Sequence, residues 1–241
     1  MNRKIIFGIA IIVVIIIFIL AIGNNDTNVS AYLYEENGLY GLKDDDGKII
    51  TEAKYKKIIK TENVDNMFIV NDDNKFGIIN SSGKEVVKEE YDNIINDGYA
   101  YDSTKIGYIL SLKKDDGYYY GYVDYKGKIL YDCEYEEVIR VLEYNGEDIY
   151  LILRQTGRCG VAKNNKLIID MKYQDIFYND AIDRFIVEKN GKYGILDRDG
   201  KELIKPNHEM FGIDGEKIYF MEENRTIYYD KDGNLVEIEK K

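Results

Sequence analysis

A single histidine, His208, stands among the 241 residues. That scarcity excludes most imidazole-based acid–base catalysis and any zinc centre built from several imidazoles. Cysteine is almost as rare: Cys133 and Cys159 fit neither a thiolate metal cluster nor a CxxC redox pair. They read as two free thiols filling buried strand positions or, in an oxidising compartment, as one disulfide. Proline occurs once, as Pro206, and tryptophan not at all. Clustered Lys and Arg interleaved with aromatics are also missing. With Arg3 and Lys4 set aside, 31 basic residues face 44 acidic ones, a balance of −13. Nucleic acid is therefore not an expected partner, because phosphate contacts need concentrated positive charge.

What the chain has in plenty is hydrophobic sequence at its start. Ile5 to Ile22 contains no polar side chain, and eighteen helical residues span roughly 27 Å, close to the hydrocarbon thickness of a bilayer. Arg3 and Lys4 precede the segment, and Asn24, Asn25 and Asp26 follow it. The positive-inside rule then keeps the N-terminus cytoplasmic and sends the rest outside. The expected organisation is an anchor over 1–23, a short linker over 24–30 and an ectodomain over 31–241. A cleaved signal peptide, with Ala21-Ile22-Gly23 as its small-x-small site and a secreted product, is the alternative.

Downstream, the sequence repeats itself. Five segments share an aromatic or apolar residue, Gly, two mostly apolar residues, a polar turn, Lys, an apolar pair and a closing aromatic. The first has Tyr40-Gly41, the turn glycine Gly47 and closing Tyr55; the second has Phe76-Gly77, Gly83 and Tyr91. The third has Tyr120-Gly121, Gly127 and Tyr135. The fourth has Cys159-Gly160 and Tyr173 but loses its turn glycine by a one-residue deletion at Asn165-Lys166. The fifth has Tyr193-Gly194, Gly200 and, in the aromatic slot, His208. A worn sixth copy runs from Ile227 to Val236. Successive first glycines lie 36, 44, 39 and 34 residues apart.

Each unit reads as a short β-meander. An incoming strand such as Phe68-Ile69-Val70 leads through a turn into the aromatic-Gly strand. Turns such as Asn37-Gly38 and Asn190-Gly191 are strong hairpin signals. The second turn places a glycine where φ > 0 is needed. The apolar runs are short and nearly continuous, which suits small sheets covered on both faces by their neighbours. The predicted fold is all-β: about six tandem meanders closing into a propeller-like toroid, with an open β-solenoid as the alternative.

This pattern resembles the WG repeat, a bacterial tandem β-unit named for a Trp-Gly pair, over roughly residues 31 to 238. Here Tyr40, Phe76, Tyr120, Cys159 and Tyr193 stand in the tryptophan place. The resemblance implies β-meander repeats and an interaction role, not an enzyme.

Residues able to bear chemistry also have plainer roles. The turns Asp44-Asp45-Asp46-Gly47, Asp197-Arg198-Asp199-Gly200 and Asp230-Lys231-Asp232-Gly233 invite calcium but lack full ligand spacing, and Asp and Gly are ordinary turn residues. Tyr118-Tyr119-Tyr120 and Tyr228-Tyr229 are candidate sugar contacts, although repeat-position tyrosines belong to packing. Lys48, Lys84, Lys128, Lys166 and Lys201 follow the turns as solvated hairpin charges. No catalytic, cofactor or metal residue is assigned. The expected function is a non-enzymatic module for a protein or cell-envelope partner. Glycan or peptidoglycan binding and a ligand-free spacer are the alternatives.

Overall fold

The computed structural model describes residues 30–61, 67–97, 107–144 and 148–240. The expected anchor, Ile5 to Ile22, lies outside the described residues, among which no helix is long and apolar enough to cross a membrane. The described chain forms six antiparallel sheets in tandem. Sheet 1 holds β1 (Tyr32–Glu36), β2 (Leu39–Lys43) and β3 (Ile49–Tyr55); sheet 2 holds β4 (Lys57–Lys60), β5 (Met67–Asp72), β6 (Lys75–Asn80) and β7 (Glu85–Tyr91). Sheet 3 comprises β8 (Asn93–Asn96), β9 (Tyr108–Lys114), β10 (Gly117–Val123) and β11 (Ile129–Tyr135). Sheet 4 comprises β12 (Glu137–Tyr144), β13 (Asp148–Gln155), β14 (Arg158–Lys163) and β15 (Lys166–Tyr173). In sheet 5 are β16 (Asp175–Asn179), β17 (Arg184–Lys189), β18 (Lys192–Leu196) and β19 (Glu202–His208). Sheet 6 has β20 (Met210–Asp214), β21 (Lys217–Glu222), β22 (Arg225–Tyr229) and β23 (Leu235–Lys240).

Turn chemistry fixes each meander. Asn37 and Gly38 take φ of 54° and 80°, and Asn190 and Gly191 take 54° and 70°, the doubly positive pair that a two-residue hairpin needs. The second turn is held by its first side chain. The Asp44 carboxylate accepts the backbone N–H of Asp46 at 3.1 Å and of Lys48 at 2.8 Å. Asn80, Asp124, Asp197 and Asp230 make the same pair of bonds in sheets 2, 3, 5 and 6. Such side-chain-to-backbone bonds are what favour Asp and Asn in turns.

The residues that define the repeat meet across the strands. Tyr40 pairs with Tyr55, Phe76 with Tyr91, Tyr120 with Tyr135, Cys159 with Tyr173 and Tyr193 with His208. Beside each pair the last strand bulges toward the motif glycine. A Cβ on Gly41 would sit 2.4 Å from the Thr51 carbonyl oxygen, and one on Gly121 would sit 2.5 Å from that of Tyr131. Only glycine admits that approach.

With a single residue between, the closing aromatic leads into the first strand of the next sheet, so the late strands of each sheet face the early strands of its successor. The interfaces are apolar. Between sheets 2 and 3, Ile69, Ile78 and Val87 meet Tyr108, Leu110 and Val123. Between sheets 5 and 6, Ile186, Ile195 and Ile204 meet Ile218 and Phe220. Interior sheets are thus covered on both faces, as their near-continuous apolar runs require.

Among the described residues the well-populated contacts between sheets join sequence neighbours only, and none links sheet 6 back to sheet 1. The described array is open, and the expected toroidal closure is not among its contacts. The end sheets explain why. In sheet 5 the facing row Ile186, Ile195, Ile204 is buried; the same register row of sheet 6 reads Tyr219, Tyr228, Glu237. In sheet 2, Phe68 pairs with Ile79, whereas sheet 1 puts Tyr32 opposite Lys43. Polar outer faces of this kind end a stack instead of sealing a ring.

Candidate interaction surface

Several repeat-motif residues lie in the packed interior. Tyr55, Tyr91, Tyr173, Cys159 and His208 are buried, and the corresponding glycines pass close to backbone. His208 stacks on Phe220 with ring centroids 4.0 Å apart, and its Nδ1 lies 3.4 Å from Glu222 Oε1. Burial holds its pKa below the ordinary imidazole value against the opposing pull of Glu222. The ring stands in for the tyrosine of the other units. Cys133 and Cys159 are free and buried; burial pushes the Cys133 thiol up to about 11 and raises Cys159 as well. Both are poor nucleophiles there.

The Asp-rich turns use their first carboxylate on their own backbone. Among the described residues no group of three or more His, Cys, Asp or Glu side chains is placed to hold a metal.

The candidate sugar-stacking tyrosines are scattered. Tyr118 is 53% exposed. Tyr119 donates to Asp116 at 2.7 Å and lies under Lys114, and Tyr120 packs into the interface of sheets 3 and 4. Tyr228 leans on Tyr219 at 5.8 Å on the outer face of sheet 6, while Tyr229 faces inward against Phe220. They form no common platform.

A buried polar cluster sits where sheets 3 and 4 join. Asp97, directly after β8, accepts hydrogen bonds at Oδ2 from Tyr122, from the Gly107 N–H at 3.1 Å and from Arg140 of β12 at 2.7 Å. Burial, then the Asp97 charge, pushes the Tyr122 hydroxyl far above the ordinary phenol range. The cluster is a clamp between sheets.

A surface signal emerges from the edge strands. β8, β12 and β16 are the first strands of sheets 3, 4 and 5, and each lies at a sheet edge. Each carries a large apolar residue one place after the buried Ile or Val of the Tyr-x-x-Ile segment: Ile95 is 50% exposed, Ile139 40% and Phe177 46%. All three occupy one register position, opposite Ile109, Ile152 and Ile186. In sheet 2 the same position is Ile59, half-buried, and in sheet 6 it is Gly212. The opposite edges also expose Ile49, Ile129, Leu167 and Leu235, but Glu85 and Glu202 interrupt that series. Charged interruptions protect an edge from pairing. The Ile95–Ile139–Phe177 row has none. The sequence carried its signal, an apolar residue after every Tyr-x-x-Ile/Val in four units, but nothing in the periodicity separates it from core.

A tandem β-meander protein is the class these features define. The family model of the WG containing repeat matches residues 40–76, 76–101, 120–146 and 163–193, and the chain belongs to that family. No curated protein matches it in sequence. Among solved structures, it is similar over 90% of its length to 65% of a eukaryotic initiation factor, at 8% identity and a TM-score of 0.42. It is similar over 76% of its length to 63% of Kluyveromyces lactis Hsv2, at 15% identity and a TM-score of 0.36. It is also similar over 88% of its length to 43% of Pyrococcus horikoshii acylaminoacyl peptidase, at 12% identity and a TM-score of 0.36. The chain spans less than two thirds of each, and likenesses at these scores assign no activity.

Proposed function

We propose that the chain is a membrane-tethered, extracytoplasmic interaction module without enzymatic activity, which docks a protein or cell-envelope component along Ile95, Ile139 and Phe177. The exposed large apolar residue recurring at one register position on three successive edge strands carries this reading, because exposed apolar surface beyond scattered single residues marks interaction sites. The hydrophobic segment Ile5–Ile22, flanked by Arg3 and Lys4 on one side and by Asn24, Asn25 and Asp26 on the other, supports the tether and its orientation.

Magnitudes restrict the partner. Covering three half-exposed side chains contributes on the order of 3 kcal/mol, which is too little alone to offset the entropy lost on association. The partner must also engage polar groups flanking the row, such as Asn93, Glu137 and Asp175. The test compares the full-length chain with its I95K/I139K/F177K variant in native membranes, by cross-linking at matched thermal stability. A cross-linked species present in the first and absent in the second supports the reading. An unchanged pattern overturns it and favours a ligand-free spacer.

A further inference from the structure

We propose that the cleft between sheets 3 and 4 receives the Asp44–Gly47 turn of a second copy of this chain. The turn glycines set the pattern. In four of the six sheets the glycine of the second turn docks on the last strand of the preceding sheet. A Cβ on Gly83 would meet Thr51 and Ile50, and one on Gly127 would meet Val86. One on Gly200 would meet Ile168 and Ile169, and one on Gly233 would meet Leu203. The receiving positions are equivalent: Ile50, Val86, Ile168 and Leu203 each lie five residues before the closing Tyr55, Tyr91, Tyr173 or His208 of β3, β7, β15 and β19. Each such turn is a knob, and each preceding last strand is its seat.

Sheet 4 breaks the series. Its turn is cut to Asn164-Asn165, with Lys163 and Lys166 directly paired, so it has no turn glycine. The seat it should fill is Leu130, five residues before the closing Tyr135 of β11. A cleft of about 370 Å³ opens there, lined by Asp124, Tyr125, Lys126, Lys128, Leu130, Ile149, Asn164 and Asn165. Leu130 and Ile149 are its apolar lining; Lys126 and Lys128 bring positive charge, while the Asp124 carboxylate beside them accepts their own backbone N–H groups.

Sheet 1 breaks the series from the other side. Gly47 has nothing within 4 Å of its would-be Cβ, so its turn is a knob with no seat. Asp45, Asp46 and Gly47 are exposed, and the turn keeps its shape through the Asp44 bonds. Among the described residues there are thus one unseated knob of this turn type and two unfilled seats, Leu130 and the exposed Val236 of β23. Glu237 and Glu239 flank the second, which leaves the cleft at Leu130 as the seat for an acidic turn.

Charge makes them complementary. Asp45 and Asp46 are acidic, and Lys126 and Lys128 border the cleft. The pairing has a precedent within the chain: Arg184 of sheet 5 holds the entering turn of sheet 6, donating to the Lys231 carbonyl at 2.8 Å and to Asp232 Oδ1 at 2.7 Å. Because knob and seat are different surfaces, the contact is heterologous. It closes as a reciprocal dimer or extends as a short chain of copies. It uses none of the residues of the edge-strand row, and neither reading depends on the other.

The test uses the full-length chain in mild detergent. One preparation carries Asp45→Cys and another Asn165→Cys, both at exposed turn positions; the native thiols are buried and do not compete. On mixing and gentle oxidation, a disulfide-linked pair containing one of each variant is expected. Adding K126E/K128E to the Asn165→Cys chain should remove it. A glycine inserted between Asn165 and Lys166 should also remove it, by restoring the missing knob in cis. Thermal melts of every variant establish that each is folded. If the mixture cross-links no more than either variant alone, or if the charge reversal and the insertion leave cross-linking unchanged, the proposal is overturned.

Discussion

Arg140 Nη1 donates to Asp97 Oδ2 at 2.7 Å across the junction of sheets 3 and 4, and the two side chains are 1% and 0% exposed. The desolvation of two buried charges roughly cancels their attraction, so the pair is worth more as a positioning device than as net stability. Breaking it is a different matter. Arg140→Ala leaves a carboxylate inside the protein with one donor lost, and should cost about 3–5 kcal/mol. Replacing both partners together as D97N/R140M, which removes both charges but keeps an oxygen to accept from Tyr122 and the Gly107 N–H, should cost less. Urea midpoints of the two variants measure the difference.

The motif glycines make a second prediction. A Cβ on Gly194 would sit 2.6 Å from the Ile204 carbonyl oxygen and 2.6 Å from the Pro206 nitrogen. Both are backbone atoms of the bulge, so neither can swing aside. Gly194→Ala should destabilise the chain by about 1–3 kcal/mol through overpacking. A drop in melting temperature, with the all-β circular dichroism spectrum retained, is the expected outcome.

His208 makes the array sensitive to mild acid. Its folded pKa is depressed by burial, so at pH values just below 6.5 the unfolded chain takes up a proton that the folded chain does not. The stability tied to neutral His208 is fully present above pH 6.5 and is lost as pH falls toward the lowered folded value. H208Y restores the aromatic of the other units and should remove that loss. Urea midpoints at pH 7.5 and 5.5 should diverge for the native chain and converge for the variant.

Much of this architecture is written locally. The pairs Asn37-Gly38 and Asn190-Gly191, the glycines after Tyr40 and Tyr193, and the closing tyrosines all act within one meander, and each element stands where the repeat pattern puts it. Relations between sheets were less legible. Arg140 meets a carboxylate 43 residues away, and no local rule links them. The openness of the array depends on Tyr219, Tyr228 and Glu237 occupying one face, which follows only once the register is known. Ile95, Ile139 and Phe177 look like core in the sequence because an edge strand and a buried strand draw on the same residues. Their exposure depends on how far the next sheet overlaps, and periodicity carries no trace of that.

The proposed docking surface is the row Ile95, Ile139 and Phe177. Site-specific photocross-linking in living cells tests it most directly, with a photoreactive side chain placed at each of the three positions and, as a comparison, at the similarly exposed Leu167 on the opposite edge. The account predicts one common cross-linked species from the three row positions and none from Leu167. No species from the row, or the same species from Leu167, would contradict it.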